Sequence, residues 1–208
     1  QFIKISPKAT IENTKITVES DWSSASYYYS LVALSENGKI KLNSYKQKSL
    51  QGDSVLSEIY KSFGVQTTFG ENSITLEKIK DFKNPPTVRF DLIKAPDIAQ
   101  TIAVTAFGMG IACELTGLHT LKIKETDRLV ALDVELKKLG ADISVTNESL
   151  HLKKATNINK NIAIDTYQDH RMAMAFAPLL LKTSILINEA EVVSKSYPTF
   201  WEDFSNFQ

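Results

Sequence analysis

The pattern of apolar positions along this chain predicts a regular succession of helices and strands. The clearest helical stretch is a row of leucines at spacings of three, four and three residues: Leu129, Leu132, Leu136 and Leu139. These spacings put the four side chains on one face of a helix. Thr126 or Asp127 can cap the start of that helix, and Gly140 is placed to end it.

The first part of the chain predicts the order strand, helix, strand, helix, hairpin. A strand-like run at 2–5 precedes this succession. The predicted elements are a strand at 16–18, a helix that starts in 21–26 and continues through 27–34, a strand at 39–42, a helix over 51–63, and hairpin strands at 65–69 and 74–76. Short runs rich in β-branched residues, bounded by turn residues such as those at 70–72, are typical of strands.

The same order of elements returns twice more along the chain. The second copy predicts a strand at 87–90, a helix opened by 94–97 over 98–111, a strand at 119–122, the leucine-rich helix, and hairpin strands at 141–145 and 150–152. The third copy predicts a strand at 162–164, a helix opened by 169–171 over 172–181, a strand at 184–187, and a last helix from 197–199 through Phe207. No hairpin follows it.

The spacing of equivalent residues supports a real structural repeat. The acids at the starts of the first helices are at positions 21, 97 and 169, which are 76 and 72 residues apart. The caps of the second helices, at 53, 127 and 199, are 74 and 72 residues apart. Near-constant spacing with a fixed element order predicts three copies, at about 14–80, 86–155 and 160–208.

Two structural expectations follow from a three-fold repeat. Equivalent loops face the same way, so three pairs of helix N-termini should converge on one end of the domain. The third copy stops before its hairpin, so an edge stays open unless strands from elsewhere cover it. The part of the protein before Gln1 is one place for those strands, because the chain opens inside a strand-like run.

Composition and charge exclude several classes of function. The 208 residues are 43% hydrophobic and 23% charged, which is typical of one large globular domain or two small ones. Lys and Arg together number 24, as do Asp and Glu, so no overall field favours nucleic acid or a membrane. A single Cys113 excludes an internal disulfide and favours a reducing cytoplasm. No apolar run reaches transmembrane length, and no signal-peptide pattern is present.

The charged residues at the predicted helix starts are the candidates for chemistry: Asp97, Lys124, Glu125, Arg128, His170, Arg171 and Lys195. Each has an ordinary explanation by itself, because an acid such as Asp97 caps helices and a loop Lys is usually solvated. Lys124 and Arg128 are harder to explain, since cations are unfavourable at the positive end of a helix unless an anion binds there. The repeat places all seven at one end.

A group of cations, carboxylates and one imidazole suits a small substrate with several negative charges, together with proton transfer. It is a poor metal site, because a single His has no Cys nearby and cations neighbour the carboxylates. No phosphate-binding Gly-rich loop supports a nucleotide, and no Ser-His-Asp constellation is suggested.

Three motifs resemble the signatures of the 5-enolpyruvylshikimate-3-phosphate synthase family. They are Lys-Glu-Thr-Asp-Arg at 124–128, Asp-His-Arg-Met-Ala-Met at 169–174 and Lys-Ser-Tyr-Pro at 195–198. The likeness extends to 21–26, 51–53 and 96–97, in the family's order and over nearly the whole chain. The resemblance implies an α/β fold, an inside-out α/β prism built from three strand-helix-strand-helix-hairpin repeats, here with the third copy incomplete.

The resemblance also implies the biological role. The enzyme would transfer the enolpyruvyl group of phosphoenolpyruvate to the 5-hydroxyl of shikimate 3-phosphate and release phosphate, on the route to aromatic amino acids. The reaction would proceed by addition and elimination, without metal or organic cofactor. The enzyme would be a monomer in the cytoplasm. Residues 1–208 would form the C-terminal domain, with the N-terminal domain absent and needed for turnover. That domain's short N-terminal segment would cross over to complete the third copy.

The resemblance assigns each candidate residue a role. Asp97 would take the proton of the 5-hydroxyl, and Glu125 would exchange protons with the methylene carbon of phosphoenolpyruvate. The ligands of phosphoenolpyruvate would be Arg128, Arg171 and Lys195, with His170 and Lys195 also in the catalytic group. Lys124, Asp97 and Thr120 would contact shikimate 3-phosphate. Thr120 departs from the family, which usually has Asn there.

Two other functions remain open from the sequence. The chain could be a non-catalytic module that binds anions on the same fold, although retaining Asp97 and Glu125 argues against this. It could also belong to an enolpyruvyl transferase that acts on a nucleotide sugar, which shares the fold but not this set of motifs. An assay of phosphate release with each acceptor distinguishes the three.

Overall fold

A computed structural model gives the fold and describes residues 2–7, 10, 12–13 and 15–206. The helices are α1 (Trp22–Leu34), α2 (Leu56–Ile59), α3 (Ala99–Met109), α4 (Arg128–Lys138), α5 (His170–Phe176) and α6 (Phe200–Ser205). The strands are β1 (Lys39–Asn43), β2 (Val65–Phe69), β3 (Ser73–Lys78), β4 (Thr87–Asp91), β5 (Ala112–Thr116), β6 (Ile143–Val145), β7 (Leu150–Leu152), β8 (Ile162–Ile164) and β9 (Ile185–Ile187). Short 3₁₀ helices extend several of the helices.

Three small sheets follow one another along the chain. The first has the order β1-β3-β2 and is antiparallel throughout. The second has the order β4-β5-β7-β6, in which β4 and β5 are parallel and the other pairs are antiparallel. The third contains the parallel pair β8 and β9. The parallel pair of the second copy therefore recurs in the third.

The first helix of each copy lies in the centre of the molecule. Twelve of the 13 residues of α1 and nine of the 11 residues of α3 are buried. α1, α3 and α5 pack against one another, whereas the strands keep one face towards solvent. Central helices inside and sheets outside make this an inside-out α/β prism, as the family resemblance implies. α1 and α3 are buried on nearly all sides, which is typical of helices in the centre of a protein.

Small and hydroxyl side chains let the central helices approach closely. Ser26 and Thr101 share a hydrogen bond of 3.0 Å between α1 and α3, and Thr105 donates to Ser30 at 2.8 Å. A Cβ on Gly108 would lie 2.7 Å from Leu34 and 2.8 Å from Leu179. Gly108 therefore lets α3 pack against two neighbouring elements at once.

The predicted leucine-rich helix and most of the other predicted elements are present. α4 starts after Asp127, whose side chain accepts a hydrogen bond from the backbone N–H of Val130 at 3.2 Å. Its four leucines are buried, and the chain turns at Gly140 with φ 95°. The last helix ends at Ser205, and Phe207, where its end was predicted, lies outside the described residues.

The prediction of a middle strand at 119–122 is wrong. These residues form a 3₁₀ helix, His119–Ile123, and the strand is β5, which lies earlier in the chain. The preceding helix ends at Gly110, in the left-handed conformation with φ 64°, so the apolar run after it is free to extend as a strand. Within β5, Cys113 and Leu115 alternate inward as period-two alternation requires.

The strand predictions at 16–18 and 2–5 are also wrong. Neither segment forms a strand in the described structure, and Val18 is 83% exposed. The backbone N–H of Ser20 donates to the carbonyl of Ser44 at 2.7 Å, as Leu92 donates to Thr116 at 2.9 Å in the second copy. The chain therefore makes a backbone hydrogen bond of this kind beside the first sheet only at Ser20, next to the end of β1, among the described residues. β-branched residues favour a strand only where a neighbouring surface covers them.

The third copy has an open edge, as its missing hairpin predicts. β5 in the second copy pairs on both sides, with β4 and β7, whereas its counterpart β9 pairs with β8 alone among the described strands. Leu186 in β9 is exposed, and a cavity of about 380 Å³ beside it is lined by apolar residues that include Trp201 and Phe204.

None of the described helices is long and apolar enough to cross a bilayer.

Candidate active site

Three helix starts bring the predicted charged residues together. Asp97 lies in the 3₁₀ turn Pro96–Ile98 that leads into α3. Arg128 is the first residue of α4, and His170 and Arg171 are the first residues of α5. The Asp169 carboxylate caps α5 by accepting the backbone N–H of Arg171 at 2.9 Å. Helix starts of the second and third copies thus converge at this end, which is part of the convergence expected for all three copies.

Arg128 is the centre of the resulting network. Its side chain is only 1% exposed, so its guanidinium charge has to be balanced by protein carboxylates. Nε donates to Asp169 at 2.6 Å, Nη1 donates to Asp97 at 2.9 Å, and Nη2 donates to Glu125 at 2.6 Å. Asp169 is 0% exposed and also receives a longer bond from Nη2 at 3.4 Å. One buried cation therefore ties three carboxylates from three segments together.

Asp97 receives the other cations of the site. Lys124 Nζ lies 3.1 Å from its Oδ1, and Arg171 Nη2 lies 3.6 Å from its Oδ2. Burial by itself would raise the pKa of Asp97, but Arg171, Lys124 and Arg128 outweigh it and hold the pKa below the usual 3.8. Asp97 is consequently a carboxylate at neutral pH.

Glu125 and His170 form a second, looser contact. His170 Nδ1 is 3.9 Å from Glu125 Oε1, and Nδ1 is buried without a hydrogen-bond partner among the described residues. Burial lowers the pKa of His170, so the imidazole is neutral at pH 7. Burial would raise the pKa of Glu125, but its own backbone N–H and Arg128 outweigh this and lower it.

The last two predicted site residues occupy the edges of this region. Lys195 is exposed, and its Nζ donates to the carbonyl of Gln168 at 2.8 Å. Gln168 directly precedes Asp169 in the chain. Lys195 therefore contacts the loop that leads into α5 and keeps most of its surface open. Thr120 lies in the 3₁₀ helix His119–Ile123, and its Oγ1 is buried without a hydrogen-bond partner in the described part of the chain.

Three further residues that the sequence did not predict as site residues belong to this region: Asp169, Ser23 and Asp53. Asp169 is the buried partner of Arg128, and the Ser23 hydroxyl donates to the carboxylate of Asp53 near Arg171. Burial raises the pKa of Asp53 above its usual 3.8. The signal was present in the repeat, since positions 97 and 169 are equivalent acids and position 53 is an equivalent cap.

A metal ion does not suit this cluster. Ligand atoms of Glu125, Asp169 and His170 lie within 4.8 Å of one another, which is close enough to share an ion. Both carboxylates, however, are hydrogen-bonded to the Arg128 guanidinium. A divalent cation would have to displace a buried cation that already neutralises them.

The cluster can instead bind anions, because its cations can exchange a protein carboxylate for an anionic group of a ligand. Three cations, Lys124, Arg128 and Arg171, face three carboxylates, and Lys195 adds a further positive charge at the edge. Lys124 and Arg171 are partly exposed, so an entering phosphate or carboxylate can compete with Asp97 for them. Arg guanidinium groups bind such anions through two parallel hydrogen bonds.

Comparison with known proteins gives the family. Residues 1–204 match the family model described as EPSP synthase (3-phosphoshikimate 1-carboxyvinyltransferase). A 3-phosphoshikimate 1-carboxyvinyltransferase of Bacteroides fragilis is 44% identical over 193 residues, which cover 90% of this chain and 46% of that protein. One from a Marinomonas species is 36% identical over 192 residues, covering 92% of this chain and 44% of that protein.

Solved structures agree with the sequence comparison. The 2.37 Å structure of EPSP synthase from Acinetobacter baumannii superposes with a TM-score of 0.75 and 25% identity, over 91% of this chain and 46% of that one. The chain thus spans about half the length of the relatives that it matches. The family match runs through the fold and through the segments that carry the charged network, and the chain belongs to the EPSP synthase family.

Proposed function

We propose that this chain is the C-terminal domain of a 3-phosphoshikimate 1-carboxyvinyltransferase. The enzyme transfers the enolpyruvyl group of phosphoenolpyruvate to the 5-hydroxyl of shikimate 3-phosphate and releases phosphate. The observation that carries the proposal is the contact of Asp97 with Lys124 and Arg128 of the second copy and with Arg171 of the third copy. It combines a carboxylate for proton transfer with cations for anionic substrates in one place.

Asp97 is proposed as the base for the 5-hydroxyl. In the network its pKa is low because cations surround it, which makes it a weak base. Substrate anions that draw Lys124 and Arg171 towards themselves leave Asp97 with fewer positive neighbours, so its pKa rises. Binding of both substrates therefore strengthens the base at the moment when the hydroxyl proton must leave.

Glu125 is proposed to carry the proton of the methylene carbon. In the addition step, the 5-oxygen bonds to C2 of phosphoenolpyruvate, its proton passes to Asp97, and a proton passes from Glu125 to C3. In the elimination step, the C–O bond to phosphate breaks and the leaving phosphate takes the proton from Asp97. C3 returns a proton to Glu125 as the double bond re-forms. Glu125 is ionised while Arg128 holds it, so it must take up a proton when phosphoenolpyruvate engages Arg128.

The remaining residues are proposed to bind and orient the substrates. Arg171 and Lys195 offer accessible charge for phosphoenolpyruvate, and Arg128 joins them when its bond to Glu125 exchanges for a bond to substrate. Lys124 contacts shikimate 3-phosphate, with Thr120 Oγ1 as a hydrogen-bonding group still without a partner. His170 supports Glu125 as a neutral imidazole. The reaction requires neither metal nor organic cofactor.

The second half of the site is proposed to come from an N-terminal domain of the same protein. The chain covers only 46% of the Bacteroides fragilis relative, and its third copy has an open edge at β9. We therefore propose that residues 1–208 form the C-terminal domain of a monomer and that strands from elsewhere in the protein cover β9. A cytoplasmic setting is proposed from the buried, unpaired Cys113.

The test is phosphate release by the full-length protein, meaning this chain together with its N-terminal half. We expect release only when phosphoenolpyruvate and shikimate 3-phosphate are both present, and little or none from the 208-residue chain alone. Release with a nucleotide sugar but not with shikimate 3-phosphate would reassign the substrate. Binding of both compounds without release would make the protein an anion-binding module, and substantial turnover by the isolated chain would refute the shared site.

A further inference from the structure

A second buried carboxylate on α4 contacts the loop that leads into α5. Glu135 lies two turns after Arg128 on the same face of the helix and is 0% exposed. Its Oε1 accepts the hydroxyl of Tyr167 at 2.6 Å, and its Oε2 accepts the backbone N–H of Asp165 at 3.1 Å. Lys138 Nζ lies 2.8 Å from Oε2 and neutralises the charge.

The loop held by Glu135 has an unusual backbone. Tyr167 and Gln168 are consecutive, and their φ angles are 54° and 56°. This left-handed region is uncommon for residues with a Cβ, and two in succession persist only where surrounding contacts hold them. Besides the contacts to Glu135, Asp165 accepts Asn188 Nδ2 at 2.7 Å and Lys138 Nζ at 2.7 Å, and the Thr166 hydroxyl donates to Glu189 at 3.4 Å.

The same loop presents two groups to the candidate active site. The carbonyl of Gln168 accepts Lys195 Nζ at 2.8 Å. The next residue, Asp169, binds Arg128 and closes a turn through its N–H to the carbonyl of Thr166, at 2.9 Å. The backbone conformation at Tyr167 and Gln168 therefore sets the positions of the groups that bind two cations of the site, the exposed Lys195 and the buried Arg128.

We propose that Glu135 and Tyr167 are a positioning pair for the phosphoenolpyruvate side of the site. The inference rests on the proposed function, because it assigns Lys195 to substrate binding. Two residues of α4 contact this segment: Arg128 binds Asp169 at the site, and Glu135, two turns later, binds Tyr167. The pair acts by fixing the Gln168 carbonyl, and through it Lys195, so neither residue is a catalytic group.

The kinetic test uses Tyr167→Phe in the full-length protein, which removes one hydroxyl and keeps the ring. The KM for phosphoenolpyruvate should rise about tenfold, because Glu135 Oε1 loses its donor and the loop relaxes. The KM for shikimate 3-phosphate should change less than twofold. Tyr29→Phe is the matched control, since it removes a bond of 2.8 Å to Thr67 between α1 and β2. An unchanged KM for phosphoenolpyruvate in Tyr167→Phe, with active wild type, overturns the proposal.

A double-mutant cycle shows whether the pair acts through Lys195. In a Lys195→Ala background, Tyr167→Phe should raise the same KM by about threefold or less, because the group that the loop holds is gone. Fully additive effects would overturn the coupling. A merely structural role of Tyr167 would give the same factor in both backgrounds.

Amide hydrogen exchange tests the pair whether or not the protein turns over. Tyr167→Phe should accelerate exchange at Asp169 and Arg171, whose N–H groups are hydrogen-bonded within the turn and the helix cap. Tyr29→Phe should leave both amides unchanged. Unchanged exchange in Tyr167→Phe overturns the positioning pair, whereas a wild type that is silent in the transfer assay overturns the proposed function alone.

Discussion

Replacing Asp169 by Asn should destabilise the chain much more than the same change at Asp127, another helix cap. The Asp169 carboxylate is 0% exposed, caps α5 and receives two N–H groups of Arg128. Asn can still accept the N–H of Arg171, so the cap persists while the negative charge opposite a buried guanidinium is lost.

The magnitude follows from what Arg128 retains. Removing one partner of a buried ion pair destabilises a protein by about 3–5 kcal/mol. Arg128 keeps Asp97 and Glu125, so the lower end applies, and we expect a loss of ~3 kcal/mol in the free energy of unfolding. For a chain of this size, that corresponds to a fall of roughly 6–12 °C in Tm.

Asp127→Asn is the matched control. Asp127 caps α4 through a single bond to Val130, on the exposed side, and takes no part in the Arg128 network. Its replacement by Asn should cost less than about 1 kcal/mol, because Asn is as good a cap as Asp. Urea unfolding followed by circular dichroism measures both variants. Equal losses for Asp169→Asn and Asp127→Asn would refute a stabilising role of the buried pair.

Three further predictions concern activity and pH. Lys195→Ala in the full-length protein should raise the KM for phosphoenolpyruvate about tenfold or more, and unchanged steady-state kinetics would remove Lys195 from the site. Asp97→Asn should lower kcat by about 10²–10⁴ with substrate affinity largely kept, as measured by phosphate release, because general base catalysis contributes that factor. Asp97 and Glu125 have lowered pKa values, so their contribution to stability is present above pH 4.5 and is lost as pH falls through the folded pKa values. Below that pH, the free energy of unfolding should therefore fall less steeply with decreasing pH in Asp97→Asn than in the wild type. Equal slopes in the two proteins would contradict this prediction.

The repeat explains why much of the fold could be predicted from the sequence. Helical periodicity, caps and closing glycines locate α1, α3 and α4, because these signals are local to each helix. The error at 119–122 arose where an apolar run continued past Gly110, since periodicity alone does not separate the end of a buried helix from a buried strand. The strand at 16–18 failed because pairing depends on a surface that the local sequence does not encode.

The candidate site was predictable as a set of residues but not as a network. Equivalent helix starts placed Asp97, Arg128 and Arg171 at one end, and the structure brings them into contact. The sequence could not show that Arg128 is buried among three carboxylates, because hydrogen-bond partners depend on distances between separate helices. Asp169 had the signature of an ordinary cap, and only its distance to Arg128 gives it a second role.

The most direct test of the account is the stoichiometry of the transfer itself. The full-length protein is incubated with phosphoenolpyruvate and shikimate 3-phosphate, and phosphate and the enolpyruvyl product are measured together by NMR. We expect one enolpyruvyl ether at the 5-oxygen for each phosphate released, and both signals should form about 10²–10⁴ times more slowly in Asp97→Asn. Phosphate release without the ether, or transfer by Asp97→Asn at the wild-type rate, would contradict the proposed function of this site.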